Sequence, residues 1–146
     1  MKLTEKAYLQ INQALFSLTA AYESRMLKEA GNDLSLADCS VLMVMKQFAP
    51  LTAKQLSEYM DINPGTISVY VQRLVKKGLI VRHQDENDRR NWWLNFTDKG
   101  KSISTTIVTS AAAYTNDFLS VLDKEEQNHL HQLLLRISHS LGFDWQ

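Results

Sequence analysis

The chain carries one cysteine, Cys39. That scarcity excludes an intramolecular disulfide and a cysteine-rich zinc site. It leaves the thiol two readings, a small buried helix residue or a redox sensor able to bridge molecules. Only five glycines and two prolines occur, too few for a phosphate-cradling glycine loop. No G-x-S-x-G elbow or H-E-x-x-H helix is present either, so neither catalysis nor a cofactor is expected. No apolar run approaches the roughly 18 residues of a membrane span. The N-terminal "MKLTEKAYLQ" has no apolar core of the kind that marks a signal peptide, so a cytoplasmic location is expected. Formal net charge is zero, with 16 basic and 16 acidic residues, which argues against an indiscriminate nucleic-acid coat.

What is present is ample apolar material, 45% of residues, enough for a single domain or two small subdomains sharing a core. The charges are unevenly spread. Between Thr52 and Lys101 nine Lys/Arg face six acids, whereas the rest of the chain has seven against ten. A basic contact module on a more acidic scaffold would show this asymmetry.

Ile11, Leu15, Leu18, Tyr22 and Met26 recur every three or four residues and predict a long first helix stopped at Gly31-Asn32. Ser35 and Asp38 form a capping box, with Asp in the usual Glu/Gln place, for a short buried helix that includes Val41 to Phe48 and ends at Pro50. Thr52 and Gln55 form a fuller box for the two-turn helix "AKQLSEYM". Asn63 caps a fourth helix with Pro64 in its first position, and Gly78 ends it in a left-handed conformation. Ile67, Val71, Leu74 and Val75 give that helix a buried face, leaving Thr66, Ser68, Tyr70, Arg73, Lys76 and Lys77 to point largely away. Leu79 to Gln84 and Asn91 to Phe96 read as the strands of a hairpin. Thr97 caps a fifth helix striped by Ile103, Ile107, Ala111, Tyr114 and Phe118. Asp123 caps a last helix carrying Leu130, Leu133, Leu134, Ile137 and Leu141. The terminal helices cannot cover their own stripes, and a second copy of the chain is the economical partner. Ile11, Leu15, Leu130, Leu134, Ile137 and Leu141 are the expected dimerisation residues.

The loop "DENDRR", Asp85 to Arg90, is longer and more charged than hairpin closure requires. Two short helices joined by a tight turn and followed by such a hairpin form a winged helix-turn-helix. The second helix has the diameter that a B-form major groove admits, and its polar face can reach base edges. An arginine at a hairpin tip can enter the more negative minor groove, and an aspartate beside it can fix the guanidinium's direction. The expected fold is mainly α with a small β-hairpin wing. Residues 1–34 and 101–146 supply dimerisation helices around a winged module at 35–100.

"QRLVKKGLIVR" (Gln72 to Arg82), "DENDRR" and "FTDKGK" (Phe96 to Lys101), together with helix order and length, resemble the MarR family of bacterial transcriptional regulators over almost the whole chain. The resemblance implies a homodimer that binds a pseudo-palindromic operator in double-stranded DNA, usually as a repressor and often released by a small ligand. It implies DNA contacts from the fourth helix, at Asn63, Thr66, Ser68, Val69, Tyr70, Arg73 and Lys76, and from Asp88, Arg89 and Arg90. Arg90 takes the place of the wing arginine that enters the minor groove, with Asp88 holding it. Val69 departs from the pattern, standing where many relatives have a polar or basic residue. The resemblance further implies an amphipathic aromatic ligand, for which Tyr22, Arg25, Met26, Met43, Phe48 and Tyr114 are the candidate lining.

Other readings stay open at this level. Arg73, Lys76 and Lys77 could be a solvated face complementing the helix C-terminus. Of the adjacent Trp92 and Trp93, strand alternation turns one to the core and the other away. Glu125 and His129, four apart, could meet a metal, but two ligands are few and no metal site is expected. A winged helix that binds protein instead of DNA would keep the same stripes.

Overall fold

The computed structural model describes residues 2–31 and 33–143. Among the described residues six helices, α1 (Glu5–Ala30), α2 (Leu36–Phe48), α3 (Ala53–Met60), α4 (Pro64–Lys76), α5 (Asp98–Leu119) and α6 (Lys124–Ser140), accompany three strands, β1 (Leu51–Thr52), β2 (Ile80–Gln84) and β3 (Trp92–Phe96). The chain forms two compact units, 1–111 and 112–146.

In the first unit the helix ends follow side-chain chemistry. Ser35 Oγ accepts from Asp38 N–H while Asp38 Oδ2 accepts from Ser35 N–H, a reciprocal box that satisfies two otherwise orphaned donors. Thr52 and Gln55 repeat the device on α3. Gly31 closes α1 at φ +85, and Asn32 lies outside the described residues. Gly78 takes φ +73 directly after α4, a backbone geometry that costs a side-chain-bearing residue energy.

The core of this unit is Val41, Leu42, Val44 and Met45 of α2, Leu56 of α3, Ile67, Val71 and Leu74 of α4, and Leu51, Leu79, Ile80 and Leu94 from the strands and the α4–β2 turn. Each fully buried aliphatic side chain contributes about 1.5–3 kcal/mol. Val75 is exposed, so the apolar face of α4 is narrower than the sequence suggests.

The sheet has the order β1-β3-β2, antiparallel throughout. The hairpin foreseen in the sequence therefore gains a third strand, in which Leu51 pairs with Leu94 and Thr52 with Trp93. Thr97 ties the hairpin to α5. Its hydroxyl donates to the Gly78 carbonyl (2.6 Å) and accepts from Gly100 N–H (3.0 Å). Gly100 packs so closely here that a Cβ would collide with the Leu79 carbonyl.

The second unit contains the end of α5 and the whole of α6. Asp123 and Glu126 form a capping box, and the Gln127 side-chain amide donates to the carbonyls of Leu119 (2.9 Å) and Leu122 (3.0 Å), fixing the turn between the helices. Tyr114 is buried, whereas Leu133, Leu134, Ile137 and Leu141 are exposed.

Candidate nucleic-acid interface

The turn from α3 to α4 is built by short-range hydrogen bonds. Asp61 adopts a left-handed conformation, and Ile62 N–H donates to the Ser57 carbonyl (3.2 Å). The buried Ser57 hydroxyl returns a bond to the Ile62 carbonyl (2.5 Å). Asn63 Oδ1 then accepts from Thr66 N–H (2.9 Å), with Pro64 in the first turn. A serine two turns back thus positions the start of α4. That role is invisible in a capping pattern, which looks forward from the cap.

On α4, Ser68, Val69, Gln72 and Lys76 are exposed, and Thr66 and Tyr70 are half-buried. Arg73 departs from the expectation that it points away. Its Nε and Nη2 donate to Asp38 Oδ1 at 2.8 and 2.6 Å, and Nη2 also reaches Ser35 Oγ at 3.0 Å. The guanidinium lies 5.3 Å from the Tyr70 ring centroid. Lys77 donates to Asp38 Oδ2 at 3.3 Å. Asp38 is fully buried. Burial alone would raise its pKa, but the bonds from Arg73, Ser35 N–H and Lys77 outweigh that and hold the carboxyl below the usual range. The sequence reading assigned Asp38 only to its cap. The long-range pairing leaves no local trace beyond an Asp where Gln or Glu usually stands.

Cys39, next in the chain, is fully buried. Burial and the neighbouring Asp38 charge push its thiol pKa up, so it remains protonated and unreactive at neutral pH. This geometry favours the buried-residue reading over the redox one.

The wing loop is ordered by its two aspartates. Asp85 Oδ1 accepts from the N–H groups of Asn87 (2.7 Å) and Asp88 (3.1 Å), and Oδ2 accepts from the Trp93 indole (2.7 Å). The indole bond and the two backbone bonds lower the Asp85 pKa. Asp88 Oδ1 accepts from both N–H and Nε of Arg90 (3.1 Å each), and Oδ2 accepts from Nη2 (3.3 Å). The Arg90 hydrogen bonds likewise lower the Asp88 pKa. The Arg90 side chain is 90% exposed, so a directed cation stands in solvent at the tip. Arg89 is exposed, and its carbonyl accepts from the Gln84 amide (2.6 Å). Trp93 therefore braces the loop from one face of β3. Trp92 shares the opposite face with buried Leu94 but lies farther out, 49% exposed.

Of the expected ligand lining, Met26 and Tyr114 are buried, Tyr22 and Met43 half-buried and Arg25 exposed. The Phe48 ring is stacked on Tyr59, centroids 4.0 Å apart. A cavity of about 320 Å³ in the first unit, lined by Leu34, Lys77, Leu79, Lys99 and Ile103 among others, contains none of these six. Of the expected dimerisation residues, Ile11 and Leu15 are exposed on α1, and Leu134, Ile137 and Leu141 are exposed in the second unit, where Leu130 is half-buried. Among the described residues no three His, Cys, Asp or Glu side chains gather as a metal site would require, and no helix is long and apolar enough to cross a membrane.

The MarR family model matches residues 32–91, spanning α2 through the wing loop. The HTH-type transcriptional regulator SarZ of Staphylococcus epidermidis is 30% identical over 107 residues, 73% of this chain and 70% of that protein. Among solved structures, Streptococcus pneumoniae FabT in complex with DNA superposes with a TM-score of 0.79 at 23% identity, over 92% of this chain and 97% of that one. The PcaV transcriptional regulator of Streptomyces coelicolor, in complex with its natural ligand, gives 0.75 at 21% identity over 97% and 99%. At such identities the two structures speak for the fold alone.

Proposed function

Because this chain belongs to the MarR family of HTH-type transcriptional regulators, we propose that it represses transcription by binding a pseudo-palindromic DNA operator as a homodimer. In this reading α4 enters the major groove through Thr66, Ser68, Val69, Tyr70 and Lys76, near its Asn63 cap. Arg90 enters the adjacent minor groove, Asp88 aims it, and Arg89 contacts the backbone. The observation that carries the reading is the exposed Arg90 guanidinium held by two side-chain hydrogen bonds to Asp88. An arginine so directed has nothing to do inside the fold and is suited to a narrow groove of negative potential. Arg73 is left out of the contact set because its guanidinium is committed to Asp38.

Dimerisation is supported by the exposed apolar residues of α1 and, separately, those of α6. Apolar side chains exposed in such numbers on one helix call for a covering partner. A two-fold dimer would place its recognition helices about 34–36 Å apart to read half-sites one helical turn apart. Release by a small amphipathic aromatic ligand completes the proposal. Tyr22, Arg25 and Met26 of α1 and Met43 of α2 would line its site, since adaptable methionine and amphipathic tyrosine suit such a guest.

The deciding experiment is selection of bound fragments from genomic DNA, followed by a gel shift on the enriched sequence at increasing salt. A single enriched motif with two-fold character, bound in a salt-sensitive manner, is the expected outcome. No enrichment, with binding to protein partners instead, would favour the protein-binding use of the same fold. A panel of phenolic carboxylates, salicylate among them, tests the ligand. A compound that raises the melting temperature and lowers operator affinity supports induction, and equal affinity with bound ligand rejects it.

A further inference from the structure

Asp38 does more than its cap demands. Capping α2 uses one oxygen, Oδ2, to accept from Ser35 N–H, a task a neutral Gln performs equally well. The negative charge is surplus to that task, and it is spent on two cations at the C-terminal end of the recognition helix. Arg73 takes Oδ1 through two N–H groups, and Lys77 takes Oδ2. The side chains of Arg73 and Lys77 remain 36% and 29% exposed. Both therefore lie at the surface, within a flexible side chain's reach of solvent, yet face inward because a buried charge draws them there.

Cations on a DNA-reading helix have a cost for selectivity. Phosphate contacts supply essentially all of non-specific affinity and carry no base information, so an added cation strengthens random-sequence binding in any register, whereas on the operator, where base contacts fix the helix's position, it gains only from a phosphate already within reach. What matters in a genome is the ratio of operator to random-sequence affinity. We propose that Asp38 is a specificity-determining residue that acts through Arg73 and Lys77, withholding two cations from the DNA backbone and leaving Lys76 as the uncommitted charge at this end of the helix. Asp38 is thus a positioning residue that never touches DNA.

The inference rests on the DNA-binding reading above. Its test is the full-length Asp38→Asn variant, whose amide oxygen still accepts from Ser35 N–H while its charge is gone. Binding to a random-sequence duplex and to the selected operator is followed by fluorescence anisotropy between about 50 and 200 mM salt. Two released cations should make the log affinity versus log salt slope on the random duplex steeper by about 0.9 for each new phosphate contact. Random-duplex affinity at low salt should tighten by about threefold or more, and the ratio of operator to random affinity should fall. An unchanged slope with both duplexes bound more weakly would reduce Asp38 to support of the fold and overturn the proposal.

Where circular dichroism shows that Asp38→Asn does not fold, Lys77→Gln decides. Removal of a withheld cation leaves the wild-type slope intact, whereas a slope shallower by about 0.9 means that Lys77 already reaches phosphate and the proposal falls. A wild type that binds neither duplex at low salt overturns the DNA-binding reading and this inference with it. The slopes bear on Asp38 alone.

Discussion

Replacing Arg90 by Ala isolates what the wing contributes. The side chain is 90% exposed and its bonds to protein run to Asp88, itself at the surface. The fold buries nothing with it. The Arg90 backbone N–H still donates to Asp88 Oδ1, so the loop keeps its shape and the melting temperature should not move. Operator affinity should drop by roughly 1–3 kcal/mol, the value of one good groove contact, or about five- to 150-fold. Asp88→Ala separates direction from charge. Ordering a long side chain on binding costs about two- to twelvefold in affinity, which Asp88 removes in advance by holding the guanidinium in the free protein. The single Asp88→Ala variant should therefore lose less than Arg90→Ala, and adding it to Arg90→Ala should cost only what the backbone hydrogen bond from residue 90 to Asp88 contributes to loop order, since the side-chain bonds are already gone. Anisotropy titrations of the four proteins on one operator, with melting curves beside them, complete the cycle. Arg90→Ala within twofold of wild type at moderate salt would remove the wing from the mechanism. Equal and additive losses from both positions would instead make Asp88 an independent contributor.

Ile137→Asp, at a position exposed in the chain, should leave helix content unchanged but abolish dimer and operator binding together, because an unpaired carboxylate buried at an interface costs several kcal/mol. A wild-type monomer at micromolar concentration in sedimentation would refute it. Gly100→Ala should destabilise by about 1–3 kcal/mol despite the better helix propensity of Ala, because the added methyl meets the Leu79 backbone carbonyl. Urea unfolding that shows equal or greater stability would contradict that packing. Asp38 has a folded pKa below its unfolded value, so its stabilisation is present above about pH 4 and is lost as pH falls through the folded pKa. The gap in unfolding free energy between wild type and Asp38→Asn should accordingly shrink between neutral pH and about pH 3, and a constant gap would discount the ion pairs.

Local chemistry made the helices legible. Ser35 with Asp38, Thr52 with Gln55, Asn63 before Pro64, and Asp123 each act on donors three residues away, so their spacing is written in the sequence. The recognition-helix and wing motifs likewise carry the family resemblance in the sequence itself. What escaped was long-range or dual-purpose. The pairing of Asp38 with Arg73 spans 35 residues, and its acidic member was already accounted for as a cap. Strand β1 is two residues long, too short for alternation to register, and Thr52 was spoken for as the start of a helix. Asp85 read only as one charge of the "DENDRR" loop, whereas its carboxylate is taken by the Trp93 indole across the hairpin. In each case a residue with one evident local duty proved to have a second that only the fold supplies.

Thr52 shows what such double duty means mechanically. Its backbone pairs with Trp93, near the loop end of the hairpin, while its hydroxyl accepts from Gln55 N–H at the start of α3. The hairpin and the helix-turn-helix are thereby pinned at one joint and share their rigid-body degrees of freedom. On the proposed DNA-binding reading, tuning of operator affinity would fall to motions of whole modules, because the wing cannot be retracted alone without tearing β1 from β3 and loosening the first turn of α3.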